Sequence, residues 1–158
     1  MGQLQTISRI VMTLINATTD HYLNFIKDDP VRPHLPMVWR ISNGREVYAL
    51  EDEQGELRAM ICVAYTKEVP KDEGELDRLS CEDGDIAVFY TVWSYAKGAG
   101  RDMVLTVAKH IKDTKPIDRY VTLSPQTEMA RKFHLANGAT VLSVNTTSVN
   151  YEYAKEIV

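Results

Sequence analysis

The residues that decide the fold are 86–101, which read IAVFYTVWSYAKGAGR. The run from Asp85 to Trp93 is almost continuously apolar, which is typical of a strand buried on both faces. A turn of small residues follows, from Tyr95 to Arg101. Beyond it, apolar residues recur at helical spacing until Pro116 ends the helix: Val104, Val107, Ala108 and Ile111. The stretch therefore predicts a buried strand, a tight glycine turn and an amphipathic helix.

The glycine turn is a candidate anion site. Its glycines and alanines let the backbone curl around a ligand, and the helix start adds a partial positive charge. Lys97 and Arg101 at the rim strengthen that charge, although such a turn also serves simply to join a strand to a helix. A Walker-type loop is excluded because Gly100 is followed by Arg101, and a dinucleotide fingerprint because Met103 occupies its third glycine position.

The elements before this stretch form an antiparallel meander. We expect a strand over Ile7–Ile15, a short helix that Pro30 ends, and a further short helix through Trp39. A hairpin follows over Glu46–Glu51 and Leu57–Tyr65, because Gly55 lies in the polar link between them. The acidic segment from Thr66 to Gly84 is predicted to be a connection without an element of its own.

The elements after the helix alternate. Tyr120–Leu123 is predicted to be a strand, and Ser124-Pro125 to open a helix as cap and first residue. Asn137-Gly138 fits a left-handed stop of that helix, and the final strands are Thr140–Val144 and Ser148–Tyr153. The inner stripe of the helix is Met129, Ala130, Phe133 and Ala136. The order indicates one α/β (α+β) domain over 1–158, with one right-handed β-turn-α-β crossover whose strands run parallel or diverge.

Composition limits the classes of function. The 158 residues carry a net charge of −4, which argues against a general nucleic-acid partner. Two cysteines and four scattered histidines provide no disulfide framework and no metal-ligand spacing, so we expect no metal. The apolar runs are too short to cross a membrane and no secretory leader is evident, so we expect a cytoplasmic protein. Residues 46–85 contain 13 acidic and 4 basic residues, whereas residues 97–132 contain 8 basic and 4 acidic ones.

Two motifs resemble those of the GNAT superfamily of acyl-CoA-dependent N-acyltransferases. In that family a central strand ends in a Gln/Arg-x-x-Gly-x-Gly/Ala turn that holds the CoA pyrophosphate. Residues 95–100, YAKGAG, match both small positions, with Tyr95 in place of Gln or Arg. Residues 127–139, TEMARKFHLANGA, match the later family helix at Ala130, Phe133 and Gly138. They depart from it at Thr127, His134 and Ala139. A small, divergent member of bacterial or phage origin has this character.

The resemblance implies a GNAT-like single domain with a mixed, mostly antiparallel sheet around a central acyl-CoA-binding β-turn-α-β unit. Acetyl-CoA, or another acyl-CoA, is then the cosubstrate, without a metal. The residues implied to bind it are Thr91, Val92, Tyr95, Ala96, Lys97, Gly98, Ala99, Gly100, Arg101 and Thr127. The amine attacks the thioester directly, and strand-edge amides near Thr91–Val92 polarise its carbonyl.

The acid that protonates the departing thiolate is assigned by position in the family. His134 stands where the family has a tyrosine, and an imidazole titrates near neutrality. Ser124 and Tyr90 are the other candidates for this role. Structural alternatives are a His134 bonded to a carbonyl, a Ser124 that only caps its helix, and a Tyr90 in the core. For the general base, Asp85, Glu75, Glu82 and Asp83 all remain open.

Three functions follow from these motifs. The first is an N-acyltransferase that transfers an acetyl group to a small-molecule or protein amine. The second is a non-catalytic protein of the same fold that binds a partner or CoA without turnover, because four signature positions differ. The third is a nucleotide-binding module that uses the same turn. We expect no nucleic-acid and no membrane partner, and either a monomer or a homodimer. The resemblance to the family implies that a homodimer would pair through Thr140–Tyr153.

Overall fold

The structure, a computed structural model, describes residues 11–156 and residue 158. The predicted strand Ile7–Ile15 therefore lies partly outside the described residues, and its second half is confirmed. The described strands are β1 (Met12–Asn16), β2 (Glu46–Asp52), β3 (Leu57–Thr66), β4 (Ile86–Ser94), β5 (Arg119–Thr122), β6 (Ser124–Pro125), β7 (Ala139–Val144) and β8 (Ser148–Tyr153). They form one sheet in the order β1-β2-β3-β4-β5-β8-β6, with β7 also paired to β8.

All pairs in this sheet are antiparallel except β4 with β5, which run parallel. The described helices are α1 (Met37–Arg40), α2 (Glu73–Leu79), α3 (Ala99–Thr114) and α4 (Glu128–Ala136), with 3-10 helices at Ala17–Thr19 and His21–Asp28. The predicted elements occur in the predicted order, with α2 and β6 in addition. The hairpin and the single parallel crossover through α3 are confirmed. The helix expected before Pro30 is present as the 3-10 helix.

Helix α2 corrects the prediction that Thr66–Gly84 has no element. Its sequence, EGELDRL, contains a single buried side chain, Leu76, so no apolar periodicity announces it. The helix forms because Asp72 caps it, accepting a hydrogen bond from the amide of Glu75 at 2.8 Å. The only sequence feature that indicates this helix is therefore its capping residue, Asp72, which lies among other acidic residues.

The start of α4 also differs from the prediction. Ser124 and Pro125 form β6 and pair with Val149 and Ser148 of β8, so Ser124 is not the helix cap. Thr127 is the cap instead, and its side chain accepts from the amide of Ala130 at 3.2 Å. Ser124 and Pro125 adopt a strand and not a helix start because β8 supplies hydrogen-bond partners for their backbone.

The predicted inner stripe of α4 is only partly right. Met129 is 83% exposed and Ala136 is exposed, whereas His134 and Asn137 are buried. The buried face is thus rotated towards polar residues, of which His134 bonds to Ser124 and Tyr153. Gly138, with φ of +99°, ends the helix as predicted.

Two apolar clusters lie on opposite faces of the sheet. One contains Phe89 and the inner face of α3, and the other contains Val88 and the 3-10 helix His21–Asp28. Because β4 lies near the middle of the sheet, its side chains contribute to both clusters. This double burial is the reason for its continuous apolar sequence. Among the described residues, no helix is long and apolar enough to cross a membrane.

The strands β4 and β5 pair over only part of their length. The parallel ladder runs from Ile86 opposite Arg119 to Phe89 opposite Thr122. After Leu123 the chain leaves β4 and joins β8 as β6. The rest of β4, Thr91–Ser94, pairs with β3 alone. The sheet therefore opens into a fork between β4 and the segment Leu123–Pro125.

Candidate functional site

A cavity of about 330 Å³ lies in this fork. The edge of β4 over 90–94 forms one side, and Leu123–Pro125 forms the other. Helix α4 and Gly100 close the cavity on one face of the sheet, while Pro30 and Val31 close it on the other. The lining is mainly apolar, with a few polar groups at defined positions, as small-molecule sites usually are.

The edge of β4 offers backbone donors to the cavity. Tyr95 donates its N–H to the carbonyl of Arg58 at 2.8 Å, so it faces β3. In an antiparallel ladder the direction of the peptide groups alternates, so Val92 and Ser94 direct their N–H groups away from β3. Both residues line the cavity. An oxygen that gains negative charge here would meet preorganised amide donors.

A β-bulge precedes these donors. The register steps from Cys62 opposite Thr91 to Val63 opposite Phe89, so Tyr90 is the extra residue on β4. Tyr90 packs edge-on against Trp39, and the hydroxyl of Thr91 donates to Asp29 Oδ1 at 2.8 Å. Two successive side chains therefore point to the same face of the sheet, which is the consequence of the bulge.

The glycine turn lies where β4 passes into α3. Gly98 has φ of +81° and precedes the first residue of the helix, and a side chain added there would enter open space. Gly100 instead faces α4, because an added Cβ would lie 3.1 Å from Cε1 of Phe133. The chain needs glycine for backbone conformation at the first position and for close packing at the second.

The surroundings of this turn suit an anion. The side chains of Lys97 and Arg101 are exposed on either side of Gly98. Helix α3 has 16 residues, and its N-terminus gives amide donors and a partial positive charge. The other implied cofactor residues of the turn are Ala96, which is half-buried, and Ala99, which is buried against the core. Thr127 lines the cavity from the start of α4.

Two of the three candidate acids come together in the cavity. Ser124 and His134 are each 4% exposed, and the Ser124 Oγ lies 3.2 Å from Nε2 of the ring. The other ring nitrogen, Nδ1, lies 2.8 Å from the hydroxyl of Tyr153, and the ring stacks on Tyr151 at 5.0 Å between centroids. Tyr153 belongs to β8, and no local motif connects it with His134.

Burial changes the ionisation of this histidine. It lowers the pKa of His134 to about 4, so the ring is neutral at pH 7. The expectation of a pKa near neutrality is therefore wrong, because an imidazolium here would lose its hydration. A neutral ring donates one hydrogen bond and accepts another, so it links Tyr153 and Ser124 without carrying charge. Burial also raises the pKa of Tyr153, which stays protonated.

The other two predicted tyrosines, Tyr90 and Tyr95, make no bond to Ser124 or His134. The hydroxyl of Tyr90 is buried on the Trp39 side of the sheet, and burial raises its pKa well above the ordinary value. The hydroxyl of Tyr95 donates to Asp28 at 2.8 Å and accepts from the indole of Trp93 at 3.0 Å. Tyr95 thus contributes its backbone to the glycine turn, while its side chain braces the 3-10 helix.

None of the four acidic candidates for a general base lines the cavity. These candidates are Asp85, Glu75, Glu82 and Asp83. A second cavity of about 240 Å³ lies beyond Val31, Leu123 and Pro125, which line both cavities. Asp72 and Glu73 border it. Sequence reasoning missed Arg32, Glu73 and Tyr153, since none of them belongs to a motif or a periodic stripe.

The sequence matches no protein-family model and no curated protein. Solved structures do match. The malonyl-CoA decarboxylase of Agrobacterium vitis superposes with a TM-score of 0.72 at 17% identity, over 94% of this chain and 61% of that one. The loading GNATL domain of CurA from Lyngbya majuscula gives a TM-score of 0.66 at 13% identity, over 91% and 98%. The chain has a GNAT-like fold.

A third structure of this fold, an acetyltransferase of Bacillus subtilis in complex with CoA, gives a TM-score of 0.62 at 11% identity. It covers 92% of this chain and 99% of that one. The resemblance to the GNAT fold and the mixed, mostly antiparallel sheet are thus confirmed, for a divergent sequence. The chain spans only 61% of the decarboxylase from Agrobacterium vitis, so that whole enzyme's activity does not transfer with the fold.

Proposed function

We propose that the protein is an acyl-CoA-dependent N-acyltransferase, with acetyl-CoA as the donor. The observation that supports this proposal best is the continuity between the fork cavity and the glycine turn. An amide-lined strand edge and an anion-binding helix start follow each other along one stretch of chain. A ligand with a pyrophosphate and a thioester arm fits that combination. A cavity of about 330 Å³ suits the pantetheine end of such a ligand.

The proposed reaction begins with attack of a neutral amine on the thioester carbon. The carbonyl oxygen becomes negative and accepts a hydrogen bond from the amide of Val92. The C–S bond then breaks, and the electron pair leaves with sulfur. The new ammonium must lose a proton and the thiolate must gain one.

Ser124 is proposed to carry this proton. Its hydroxyl gives a proton to sulfur and receives the ammonium proton in exchange, so the products are a neutral amide and CoA as the thiol. His134 holds the hydroxyl in place and remains neutral, as its pKa of about 4 requires. This arrangement needs no ionised residue of the protein, which agrees with the lack of an acidic side chain along the cavity among the described residues.

The amine is proposed to enter from the second cavity. Asp72 and Glu73 at its border attract the amine in its cationic form. The cation gives one proton to water before it attacks the thioester as the neutral amine. Val31, Leu123 and Pro125 line both cavities and separate them. The acceptor class is therefore a small or protein-borne primary amine.

The test begins with the cofactor. Acetyl-CoA at 100 times its Kd should raise the melting temperature by roughly 5–10 °C. Gly98→Asp should abolish this shift, because it places a carboxylate against the pyrophosphate. Gly55→Asp is the matched control, since Gly55 has φ of +80° and equally open space but lies in the β2–β3 turn. It should cost the same backbone strain and keep the shift.

Turnover is then measured as CoA release across a panel of primary amines. Release that requires an amine supports the proposal. A normal thermal shift without any release would instead support the non-catalytic alternative that binds CoA. No shift at millimolar CoA would reject the acyltransferase and leave a protein of the same fold that binds another partner. ATP that competes with CoA would point to a nucleotide-binding module.

A second candidate is decarboxylation of a malonyl thioester. It is favoured by the similarity to three malonyl-CoA decarboxylase structures, with TM-scores of 0.72, 0.69 and 0.63. Loss of CO₂ would place the electron pair on an enolate facing Val92, and the carbon would take a solvent proton by way of Ser124. Malonyl-CoA incubated without amine should then yield acetyl-CoA, detected by mass spectrometry. If malonyl-CoA stays intact, this candidate fails.

A further inference from the structure

The closed end of the fork is spanned by one buried side chain, that of Arg32. Its Nε donates to the carbonyl of Tyr90 at 2.9 Å, and its Nη2 donates to the carbonyl of Leu123 at 2.8 Å. Tyr90 is the bulged residue of β4, and Leu123 is the first residue after β5. One guanidinium thus bonds both prongs of the fork at the point where they separate.

The two carbonyls need an external donor because the fork deprives them of a strand partner. The parallel ladder ends at Phe89 and Thr122, so the next carbonyl on each strand is buried without sheet pairing. A guanidinium is planar and presents several N–H groups in fixed directions, so it can satisfy two acceptors at a set separation. A lysine ammonium is a point charge on a flexible stem and cannot fix that separation.

Arg32 is itself held from several sides. Its amide donates to Asp29 Oδ1 at 3.0 Å, and its carbonyl accepts from Arg40 Nη2 at 2.7 Å. Asp29 pairs with Arg40 at 2.7 Å and accepts from Thr91 of β4. The remaining guanidinium nitrogen pairs with Glu73. The side chain is only 10% exposed, and such a satisfied network in a low-dielectric interior is rigid.

The network ends at the cavity. Pro30 and Val31, the two residues before Arg32, form part of its wall. The amide of Val92 lies two residues beyond the carbonyl that Arg32 holds. We propose that Arg32 is a positioning residue, whose guanidinium fixes the separation of β4 and the Leu123 segment so that the Val92 amide faces the thioester. The catalytic part of this inference rests on the proposed N-acyltransferase function.

The test compares Arg32→Ala with Arg119→Ala. Arg119 is the matched control because it also makes two charged hydrogen bonds, to Glu152 at 2.8 and 2.9 Å, but lies at the opposite end of β5. We expect Arg32→Ala to lower kcat at least tenfold while the Kd for acetyl-CoA, measured by calorimetry, changes less than threefold. Arg119→Ala should lower the melting temperature and leave kcat within twofold.

Chemical rescue separates positioning from general stability. Millimolar guanidinium ion should enter the space left in Arg32→Ala and restore at least a third of the lost kcat. It should have no such effect on Arg119→Ala. Arg32→Lys serves if the alanine variant does not fold. It keeps the charge beside Glu73 but should still lose at least fivefold in kcat.

Hydrogen exchange tests the fork without any turnover. Amide exchange over 90–94 and 122–125 should accelerate at least tenfold in Arg32→Ala or Arg32→Lys, and not in Arg119→Ala. Unchanged exchange there, or kcat losses equal to those of Arg119→Ala, would overturn the role of Arg32. If the wild type transfers no acyl group, the proposed function fails, and exchange at these residues still decides whether Arg32 fixes the fork.

Discussion

The two halves of β4 have similar sequences and opposite environments. Ile86–Phe89 pairs with β3 on one edge and β5 on the other, whereas Thr91–Ser94 pairs with β3 alone. Both halves are rich in apolar and β-branched residues. The first half, Ile86–Phe89, belongs to the core, and the second half, Thr91–Ser94, forms a wall of the cavity. The comparison shows that the cavity exists because Thr91–Ser94 has no neighbouring strand on the side of β5.

The neighbour is missing because β5 is short. After Leu123 the chain bonds to β8, and Pro125 has no N–H with which to continue a ladder on β4. The bulge at Tyr90 turns the strand at the same level. The carbonyls of Tyr90 and Leu123, which this opening leaves without a strand partner, accept hydrogen bonds from Arg32 instead. The fork is thus a structured feature of the sheet.

The largest expected effect is a proline placed in each half of the strand. Val88→Pro should lower the free energy of unfolding by more than about 3 kcal/mol, because it removes a ladder bond and core volume from a strand paired on both edges. Val92→Pro should cost far less stability, since its N–H faces the cavity. It should nevertheless lower kcat about 10²–10³-fold through loss of an oxyanion donor.

Urea denaturation and single-turnover kinetics measure these two variants. If Val92→Pro destabilises the protein as much as Val88→Pro does, the edge of Thr91–Ser94 is not open, and the two halves of β4 do not differ as described. If it folds and keeps full kcat, Val92 is not the donor.

A smaller effect is the acid sensitivity that His134 brings to the open half. The pKa of His134 is lowered by burial to about 4, from 6.5 for an exposed ring. Between these values the unfolded chain binds a proton that the folded chain does not. Stability is therefore fully present above pH 6.5 and falls as the pH drops towards 4, by about 3 kcal/mol at most.

The measurement is the difference between wild type and His134→Gln in urea unfolding from pH 7 to 4. The acid-dependent loss should be smaller in the variant, whereas His110→Gln, at an exposed position, should match the wild type. Because His134 is neutral above its pKa of about 4, its ionisation should cause no change in kcat around pH 6.5. A change in kcat around pH 6.5 in the wild type that is absent in His134→Gln would show that the ring ionises during turnover.

The smallest expected effect is Ser124→Ala. Because water can replace a single hydroxyl in passing a proton, we expect about a tenfold loss of kcat, or about 1.4 kcal/mol of transition-state stabilisation. The Kd for acetyl-CoA should not change. Ser143→Ala, which removes bonds to Asn145 and Asn150 on the β7 side, is the control and should keep full kcat. An equal loss in both variants would remove Ser124 from the mechanism.

Much of the fold could be predicted from local pattern. Helix α3 follows from apolar periodicity and strand β4 from a continuous apolar run. The hairpin at Gly55 and the stop at Gly138 follow from turn residues that allow positive φ. Helix α2 could not be predicted in this way, because Leu76 is its only buried residue and its stability comes from a cap. Ser124-Pro125 was misassigned because β8, a distant segment, competes with the local helix signal.

The site divides in the same way. The glycine turn is a local motif, so its residues can be identified from the sequence. Ser124 and His134 are both candidates from the sequence, but folding brings their side chains together from β6 and α4. The neutral state of the ring depends on how deeply it is buried. Tyr153 and Arg32 had no signal, because their partners are far away in the chain.

The sequence by itself determined most of the elements and their order, the glycine turn and the likeness to the GNAT fold. Each of these depends on interactions between residues a few positions apart, such as apolar spacing, caps and positive φ. Only the tertiary structure decided where the sheet opens, which donors line the opening, how His134 ionises and what holds the fork apart. Those properties depend on burial and on partners brought together by folding, which no local pattern records.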